Sequence, residues 1–298
     1  MKVSVVVPSY NQAPFLDKTL ASIFSQEGPL EVLAQDGGST DGSVEILKEY
    51  SEKYSPTPYP QYSFSYVSGK DGGQTAAINA GHKKSTGDIL CYLNSDDIWL
   101  PGTLARVRET FDKNPNTGFV YGQADFIDRE GHFLREYPVK PFSYKRLLQT
   151  CFICQPACFW RRSIYEKYGE LNEKLDYTMD YEYWLRAGRS EQFLMIPCKL
   201  AQSRFHAGAK SMKDKVKVNA EALEMLEAHC KSRPALSWIR GYVRSRADET
   251  TSGFGPYIRE YCRGLKEMRE RYKLNWPESA WILWKLQGSY RNKGRMGY

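Results

Sequence analysis

The sequence predicts an α/β protein, with a largely parallel sheet flanked by helices and a helical C-terminal appendage. Three observations carry this. Short apolar runs of strand length alternate with segments whose apolar residues recur at helical spacing, the order of a largely parallel sheet with crossover helices. A polar cluster follows each of the first four runs. Charge is also partitioned: residues 212–298 hold 18 Lys and Arg against 10 Asp and Glu, while the remainder is nearly balanced at 24 against 25.

In order, residues 3–7 form a continuous β-branched run, as in a strand buried on both faces. A turn with Pro8, Ser9 and Asn11 follows, then a helix marked by Leu16, Leu20, Ile23 and Phe24. The strand LEVLAQ ends at Asp36, and the loop GGSTDGS leads to a helix through Val44, Leu47 and Tyr50, with Asp41 as its N-cap. A Pro-rich surface loop at 55–62 precedes the strand FSYV, the loop GKDGGQ and a helix through Ala77, Ile78 and Gly81. The strand DILCYLN ends at NSDD, and Leu104, Val107 and Phe111 mark the next helix. Residues 118–140 read as two strands joined at Glu130-Gly131, and 151–160 as another strand. Tyr181, Trp184, Leu185 and Gly188 share one face of a helix. Candidate helices in the tail are 215–230, 256–273 and 277–287, and the composition shift sets a boundary near residue 211.

Composition excludes several classes. With 41% hydrophobic and 26% charged residues, the chain can bury a core and is not globally disordered. Mean hydropathy is −0.58, and no apolar run reaches the ~20 residues of a spanning helix. The apolar start breaks at Pro8, too short for a secretory signal, so a cytoplasmic protein is expected. The seven Cys are odd in number and scattered, which fits reduced thiols. Cys151, Cys154 and Cys158 lie among Phe152, Ile153, Phe159 and Trp160 and read as core thiols rather than a zinc site.

Ligands of open α/β sheets sit beyond the carboxyl ends of the strands. Ser9-Tyr10-Asn11, Asp36-Gly37-Gly38, Asp71 to Gln74, and Asn94 to Asp97 all fall there. Adjacent carboxylates repel unless a cation lies beside them. Asp96 and Asp97, with Asn94 as a neutral oxygen donor, suit Mg²⁺ or Mn²⁺, unless the pair merely caps the following helix. Asp36 is either a turn-forming residue or an acceptor for a nucleobase N–H. No Gly-Lys-Ser/Thr follows GGSTDGS, and the dinucleotide fingerprint is missing after the first strand, so kinase and dehydrogenase readings lose their support.

In this order VVVPSYNQ, QDGGSTDGS, GQTAAINAG and TGDILCYLNSDDIWLPGTL resemble the family 2 inverting glycosyltransferases, with their GT-A fold. QPACFWRRSIYEKYGELNEKLDYTMDYEYWLR and RFHAGAKS resemble that family's acceptor half, so the likeness covers roughly residues 3–211. The resemblance implies a glycosyltransferase catalytic domain over 1–211, followed by the basic, aromatic-rich helical region 212–298. It implies metal-dependent transfer of a sugar, with Mn²⁺ or Mg²⁺, from a nucleotide diphosphate donor to an acceptor hydroxyl. Pro8 and Tyr10 would line the base and ribose pocket, and Asp36 would meet the base. Asp71 and Gln74 would lie by the donor. Asp96 would contact ribose or sugar, and Asp97 the metal. Asp180 would be the catalytic base. Gln35, Asn94 and Met179 depart from the common pattern, and Asn94 leaves open which of Asp96 and Asp97 is the primary ligand.

An inverting transfer needs one base at the acceptor and a cation on the departing diphosphate. Asp180, in the first turn of its helix, is kept ionised by the dipole, and Glu182 is the second choice. His206, before Ala-Gly-Ala-Lys-Ser, falls where family members carry a His near the metal; Lys210 and Ser211 offer phosphate contacts. Trp160 and Trp184 read as core, while Trp99 offers a ring for stacking on a sugar or base. The tail, with Trp238, Trp276, Trp281 and Trp284, is a packed appendage, a peripheral contact for anionic membranes, or a nucleic-acid binder without a motif. A carboxylate at Asp36 suits uridine. The expected partners are a nucleotide-sugar donor and a glycan or lipid-linked acceptor, in polysaccharide or glycolipid assembly. The rivals are a nucleotidyltransferase, for which PSYNQAP has no basic residue, and a non-catalytic sugar-nucleotide-binding protein.

Overall fold

The computed structural model describes residues 1–54, 61–206, 208–230, 233–250 and 254–285, without the side chains of 211, 212, 250 and 254. Most of the expected Pro-rich loop at 55–62 lies outside the described residues, as do Ala207 and the side chain of Ser211. The strands are β1 (Val3–Ser9), β2 (Leu30–Asp36), β3 (Tyr62–Ser68), β4 (Ile89–Tyr92), β5 (Ile98–Trp99), β6 (Phe119–Ile127), β7 (Phe133–Glu136), β8 (Cys158–Arg161) and β9 (Phe193–Arg204). The helices are α1 (Ala13–Phe24), α2 (Ser43–Tyr54), α3 (Gln74–Lys84), α4 (Thr103–Lys113), α5 (Tyr144–Leu147), α6 (Arg162–Tyr168) and α7 (Met179–Ala187). They continue with α8 (Lys210–Lys213), α9 (Lys215–Cys230), α10 (Leu236–Thr250), α11 (Phe254–Tyr272) and α12 (Trp276–Trp284).

The chain divides into two compact units, Met1–Tyr144 with Phe152–His206, and Lys145–Cys151 with Ala207–Tyr298. The first unit holds one nine-stranded sheet in the order β3-β2-β1-β4-β8-β6-β9-β5, with β7 on β6. Strands β3, β2, β1 and β4 are parallel; β8 is antiparallel to β4 and β6, and β6 runs parallel to β9. β1 is buried along its whole length because sheet neighbours and helices cover both edges and both faces. On one face Val3, Val5 and Val7 join Leu16, Leu20 and Ile23 of α1 in the main core. On the other, α3 packs so close that a methyl group on Gly81 would lie 2.5 Å from Val6 Cγ1.

The chain steps outward from β1 to β2 to β3, then crosses back to place β4 on the other side of β1. The switch point between β1 and β4 is where such sheets bind ligands. Pro8 helps to open it. Odd residues of β1 bond β2, as in Gly37 N–H to Ser9 O, and even residues bond β4, as in Leu93 N–H to Val6 O. Pro8 has no N–H and lies on the β4 side, beyond the last β1–β4 register pair at Val6 and Tyr92.

Two elements differ from the sequence expectation. The strand expected over 151–160 is reduced to β8, preceded by a 3₁₀ turn at Gln155–Ala157. Pro156 cannot donate to a ladder, and Gln155 Nε2 donates instead to Tyr92 O at 2.8 Å. In the second unit, α10 is not expected from the sequence, yet its Ile239, Val243 and Ala247 are buried with Tyr257, Tyr261, Leu265 and Met268 of α11 and Ile282 of α12. No helix among the described residues is long and apolar enough to cross a membrane.

Candidate active site

Register brings three of the polar clusters level: Ser9 pairs with Asp36, and Asp36 with Ser68. The loop after β2 then cradles the start of α1. Asn11, at φ 53°, accepts Thr40 N–H at 3.0 Å, Gln12 N–H donates to Ser43 Oγ at 3.0 Å, and Ala13 N–H donates to Asp41 Oδ2 at 3.0 Å. Asp41 also takes Ser43 N–H at 3.1 Å, so one carboxylate serves the first turns of both α1 and α2. Burial pushes Asp41 up, but the hydrogen bonds from Ser43 and Ala13 outweigh it and hold the carboxyl below its usual range.

The Asp36 carboxylate is buried and already accepts four bonds. Gly38 N–H, Ser39 N–H and Ser68 Oγ reach Oδ2 at 3.0, 2.9 and 2.7 Å, and Ser39 Oγ reaches Oδ1 at 2.5 Å. Three of the four bonds crowd onto Oδ2, so Oδ1, with one donor among the described residues, is the oxygen with room for another. Beside it, a methyl group on Gly37 would lie 3.3 Å from Tyr10 Cδ2 and 3.4 Å from both Asp71 carboxylate oxygens. Tyr10, 62% exposed, and Asp71 therefore form the walls of a notch whose floor has no side chain. Asp71 Oδ1 also holds Gly73 N–H at 2.8 Å at the start of α3. The next residue, Gln74, donates to Asn94 Oδ1 at 2.8 Å, which joins the third and fourth clusters directly.

The two adjacent aspartates separate into different environments. Asp97 is 4% exposed, and its Oδ1 accepts Arg204 N–H at 2.8 Å. Burial, and then the neighbouring charge of Asp96, push its carboxyl well above the usual range. Asp96 instead places Oδ2 3.0 Å from His206 Nε2. The carboxylate that meets His206 is therefore Asp96, expected at ribose or sugar, while Asp97, expected at the metal, is anchored to β9. The His206 ring packs on Phe15 at 4.8 Å, and its Nδ1 is buried without a hydrogen-bond partner among the described residues. Arg204, which the sequence reading overlooked, clips this corner together. Its Nε donates to Asp96 O at 2.9 Å, and its Nη1 to Asp128 O and Arg129 O at 2.9 and 2.8 Å. Only the pairing of β9 with β6 reveals it; nothing local in the sequence does.

Other expected residues fall as follows. Pro8 is buried near the end of β1. Trp99 is buried and donates Nε1–H to Pro156 O at 2.8 Å, so it is core and not a stacking platform. Trp160 and Trp184 are buried as well. Lys210 belongs to the second unit. Asp180 is partly exposed in the first turn of α7. Glu182 forms a two-pronged pair with Arg186, both contacts at 2.9 Å. The segment leading to α7 is docked on α3: Thr75 Oγ1 donates to Leu175 O at 3.0 Å, and Asn79 Nδ2 to Leu171 O at 2.9 Å. Gln155, another residue missed, donates to Tyr92 O and lies 3.5 Å from Asn94 Nδ2.

Comparison with known proteins bears on the family. The Glycosyl transferase family 2 model matches residues 4–169. An uncharacterised glycosyltransferase of Nostoc sp. is 31% identical over 177 residues, 56% of this chain and 53% of that protein. One of Rickettsia conorii is 27% identical over 229 residues, 71% of this chain and 35% of its own length. The Bacillus subtilis glycosyltransferase YwdF is 26% identical over 209 residues, 66% of this chain and 72% of that one. The chain thus spans about half of the Nostoc relative and about a third of the Rickettsia one. Among solved structures, residues 1–349 of Staphylococcus aureus TarS in complex with UDP-GlcNAc superpose with a TM-score of 0.63 at 16% identity, over 91% of this chain and 83% of that one. The mannosyltransferase PcManGT of Pyrobaculum calidifontis, in complex with GDP-Man and Mn²⁺, gives 0.57 at 16% identity, over 97% and 80%. The two structures share the fold of this chain. With more than half of its length matched by the family model, and with the GT-A type of sheet built around the β1–β4 switch point, the chain belongs to glycosyl transferase family 2.

Proposed function

We propose that the enzyme transfers a hexosyl group from a nucleotide diphosphate donor to an acceptor hydroxyl with inversion, in polysaccharide or glycolipid assembly. The observation that carries this reading is the meeting of Tyr10, Asp36, Asp71, the Gln74–Asn94 pair and the Asp96–His206 pair around one switch point. Asp36 Oδ1 is placed to accept a uracil N3–H, which makes a UDP-sugar the preferred donor. Tyr10 offers its exposed ring to the base, and Asp71, Gln74 and Asn94 hydrogen-bond ribose or sugar hydroxyls. The solved TarS complex with UDP-GlcNAc and the PcManGT complex with GDP-Man support a nucleotide sugar as ligand class.

Asp96 and His206 fit a divalent ion. Two ligands of one octahedral ion lie ~3 Å apart, and Oδ2 and Nε2 are 3.0 Å apart here. An imidazole in the set favours Mn²⁺ over Mg²⁺, which prefers an all-oxygen shell. When bound, such an ion supplies positive charge to the departing diphosphate. Asp97 and Arg204 hold the pair in place. Asp180, in the first turn of α7, accepts the acceptor's proton. Lipid-linked acceptors and peripheral contact of the basic tail with an anionic membrane on the cytoplasmic side belong to the same reading.

The test is a panel of nucleotide sugars with Mn²⁺ or Mg²⁺, read as donor hydrolysis and as transfer to simple acceptors. Asp180→Asn keeps shape and removes the proton acceptor, so transfer falls by roughly 10²–10⁴-fold while UDP affinity holds. Near-normal transfer in the variant moves the base elsewhere, and a panel without turnover or binding refutes the donor class.

A further inference from the structure

α12 is a short helix fixed with unusual completeness. Asn275 and Glu278 form a reciprocal capping box, with Asn275 Oδ1 accepting Glu278 N–H at 3.0 Å and Glu278 Oε2 accepting Asn275 N–H at 3.0 Å. Glu278 is further held by Arg233 at 2.8 and 2.5 Å. Ser279 and Ile282 are buried, Leu283 packs on the tail core, and Tyr261 Oη donates to Ile282 O at 3.0 Å. Among the described residues, only that side of the helix packs on the rest of the tail. At 100° per residue, Trp276, Pro277, Ala280, Trp281 and Trp284 occupy the opposite arc. It contains no polar side chain, and the three tryptophans are 67%, 37% and 70% exposed.

Cations border this face. Arg269 lies over the Trp276 ring at 5.6 Å, Arg240 over Trp281 at 5.9 Å and Lys285 over Trp284 at 4.3 Å. Arg269 also ends an exposed basic arc on α11 that includes Arg259, Arg263 and Lys266, with Glu270 as the one acid among these positions. Arg263 is partly compensated by Glu260 at 2.8 Å, whereas the acid of α12 itself, Glu278, is neutralised by Arg233 on the far side of the Trp face.

An apolar face rich in Trp and continuous with a basic arc has the two parts of a surface that lies in a lipid–water interface. The indoles insert at headgroup depth, and the cations meet lipid phosphates while their stems stay along the rings. A dry protein partner explains the apolar face but not the basic arc beside it. We infer that the exposed faces of α11 and α12 form one interfacial surface for an anionic lipid bilayer, lying on it without spanning it. This deepens the proposed lipid-linked acceptor but is measured without any donor, so the two readings fail separately.

The experiment is co-sedimentation of the full chain with phosphatidylcholine vesicles and with vesicles containing a third phosphatidylglycerol, at low and high salt. Binding to the anionic vesicles at least about tenfold tighter, weakened by salt, is expected. The triple variant W276S/W281S/W284S loses binding to both, and R259Q/K266Q/R269Q loses only the anionic preference. All these side chains are exposed, and unchanged circular dichroism and thermal unfolding certify the fold. Equal binding to the two vesicle types, or binding undiminished in the Trp variant, overturns the inference. So does a dimer in lipid-free sedimentation velocity that the Trp variant dissolves, which assigns the face to a second copy of the chain.

Discussion

At the scale of single residues, the Asp96–Asp97 pair shows how adjacent identical side chains acquire different work. Both follow a buried strand, and neither spacing nor composition separates them. The separation comes from residues more than a hundred positions away: the N–H of Arg204 fixes Asp97, while His206 meets Asp96. This predicts an asymmetry. Asp96→Asn weakens Mn²⁺-dependent UDP binding by more than the ~10–100-fold that loss of an outer-shell partner costs, with little change in melting temperature. Asp97→Ala strands the Arg204 N–H and destabilises the fold by about 1–3 kcal/mol, with a smaller effect on affinity. Titration calorimetry and thermal unfolding on both variants decide it. A stable Asp97→Ala protein without Mn²⁺ affinity restores the assignment read from the sequence. The same long-range dependence explains why Trp99 was misread: a Trp at a strand end looks like a rim platform until Pro156 O arrives to accept its N–H.

At the scale of elements, the strands and helices up to α4 were legible because each announces itself locally. A strand covered on both faces is an unbroken apolar run, and its partner helix has one apolar stripe. α10 escaped because its buried positions, Ile239, Val243 and Ala247, are few and sit among Arg244, Arg246, Asp248 and Glu249. Its stability comes from α11, through contacts such as Arg246 to Glu260 at 2.8 Å. The pairing of β1, β2 and the turn before β4 rests on a polar residue equally unremarkable in sequence. Glu31 accepts from Ser4 Oγ, from Lys2 Nζ at 3.0 Å, and from Thr86 N–H and Oγ1 at 2.7 and 2.8 Å. Burial pushes its carboxyl up, but the bonds from Ser4, Thr86 and Lys2 outweigh this and leave it below the usual value. A depressed carboxylate stabilises the fold above its unfolded pKa of about 4.3, and that stabilisation is lost as pH falls through the lower folded value. Glu31→Gln is therefore less stable than the parent at neutral pH by about 1–3 kcal/mol, and urea midpoints of the two converge in acid. A difference that persists undiminished at low pH shows that packing, not charge, is what the substitution removed.

At the scale of the whole molecule, the question is how the proposed donor site on the parallel strands is aligned with the proposed base on α7. The sequence supplied the two halves as separate motifs and could not say what holds them in register. The structure places that joint on α3. Its first residue, Gln74, bonds Asn94 in the donor cluster, and its buried face binds the segment that leads to Asp180. Asn79 is the central pin: Nδ2 donates to Leu171 O and Glu173 Oε1 at 2.9 Å each, and Oδ1 accepts Leu171 N–H at 3.0 Å. Lys83 adds an exposed pair with Glu170 at 3.0 Å, which contributes little by comparison. Asn79→Ala removes three bonds at a buried place and leaves the Leu171 amide unpaired, at a cost of about 1–3 kcal/mol. The segment before α7 then loosens, while Tyr10, Asp36 and Asp96 stay on their own strands and loops. Because misplacement of about 1 Å can cost on the order of 10²-fold in rate, kcat for transfer falls sharply and Kd for UDP with Mn²⁺ holds. Lys83→Ala, on the same helix, leaves both near the parent values. If Asn79→Ala instead lowers UDP affinity in step with kcat, α3 supports the donor site itself, and the alignment of Asp180 rests on other contacts.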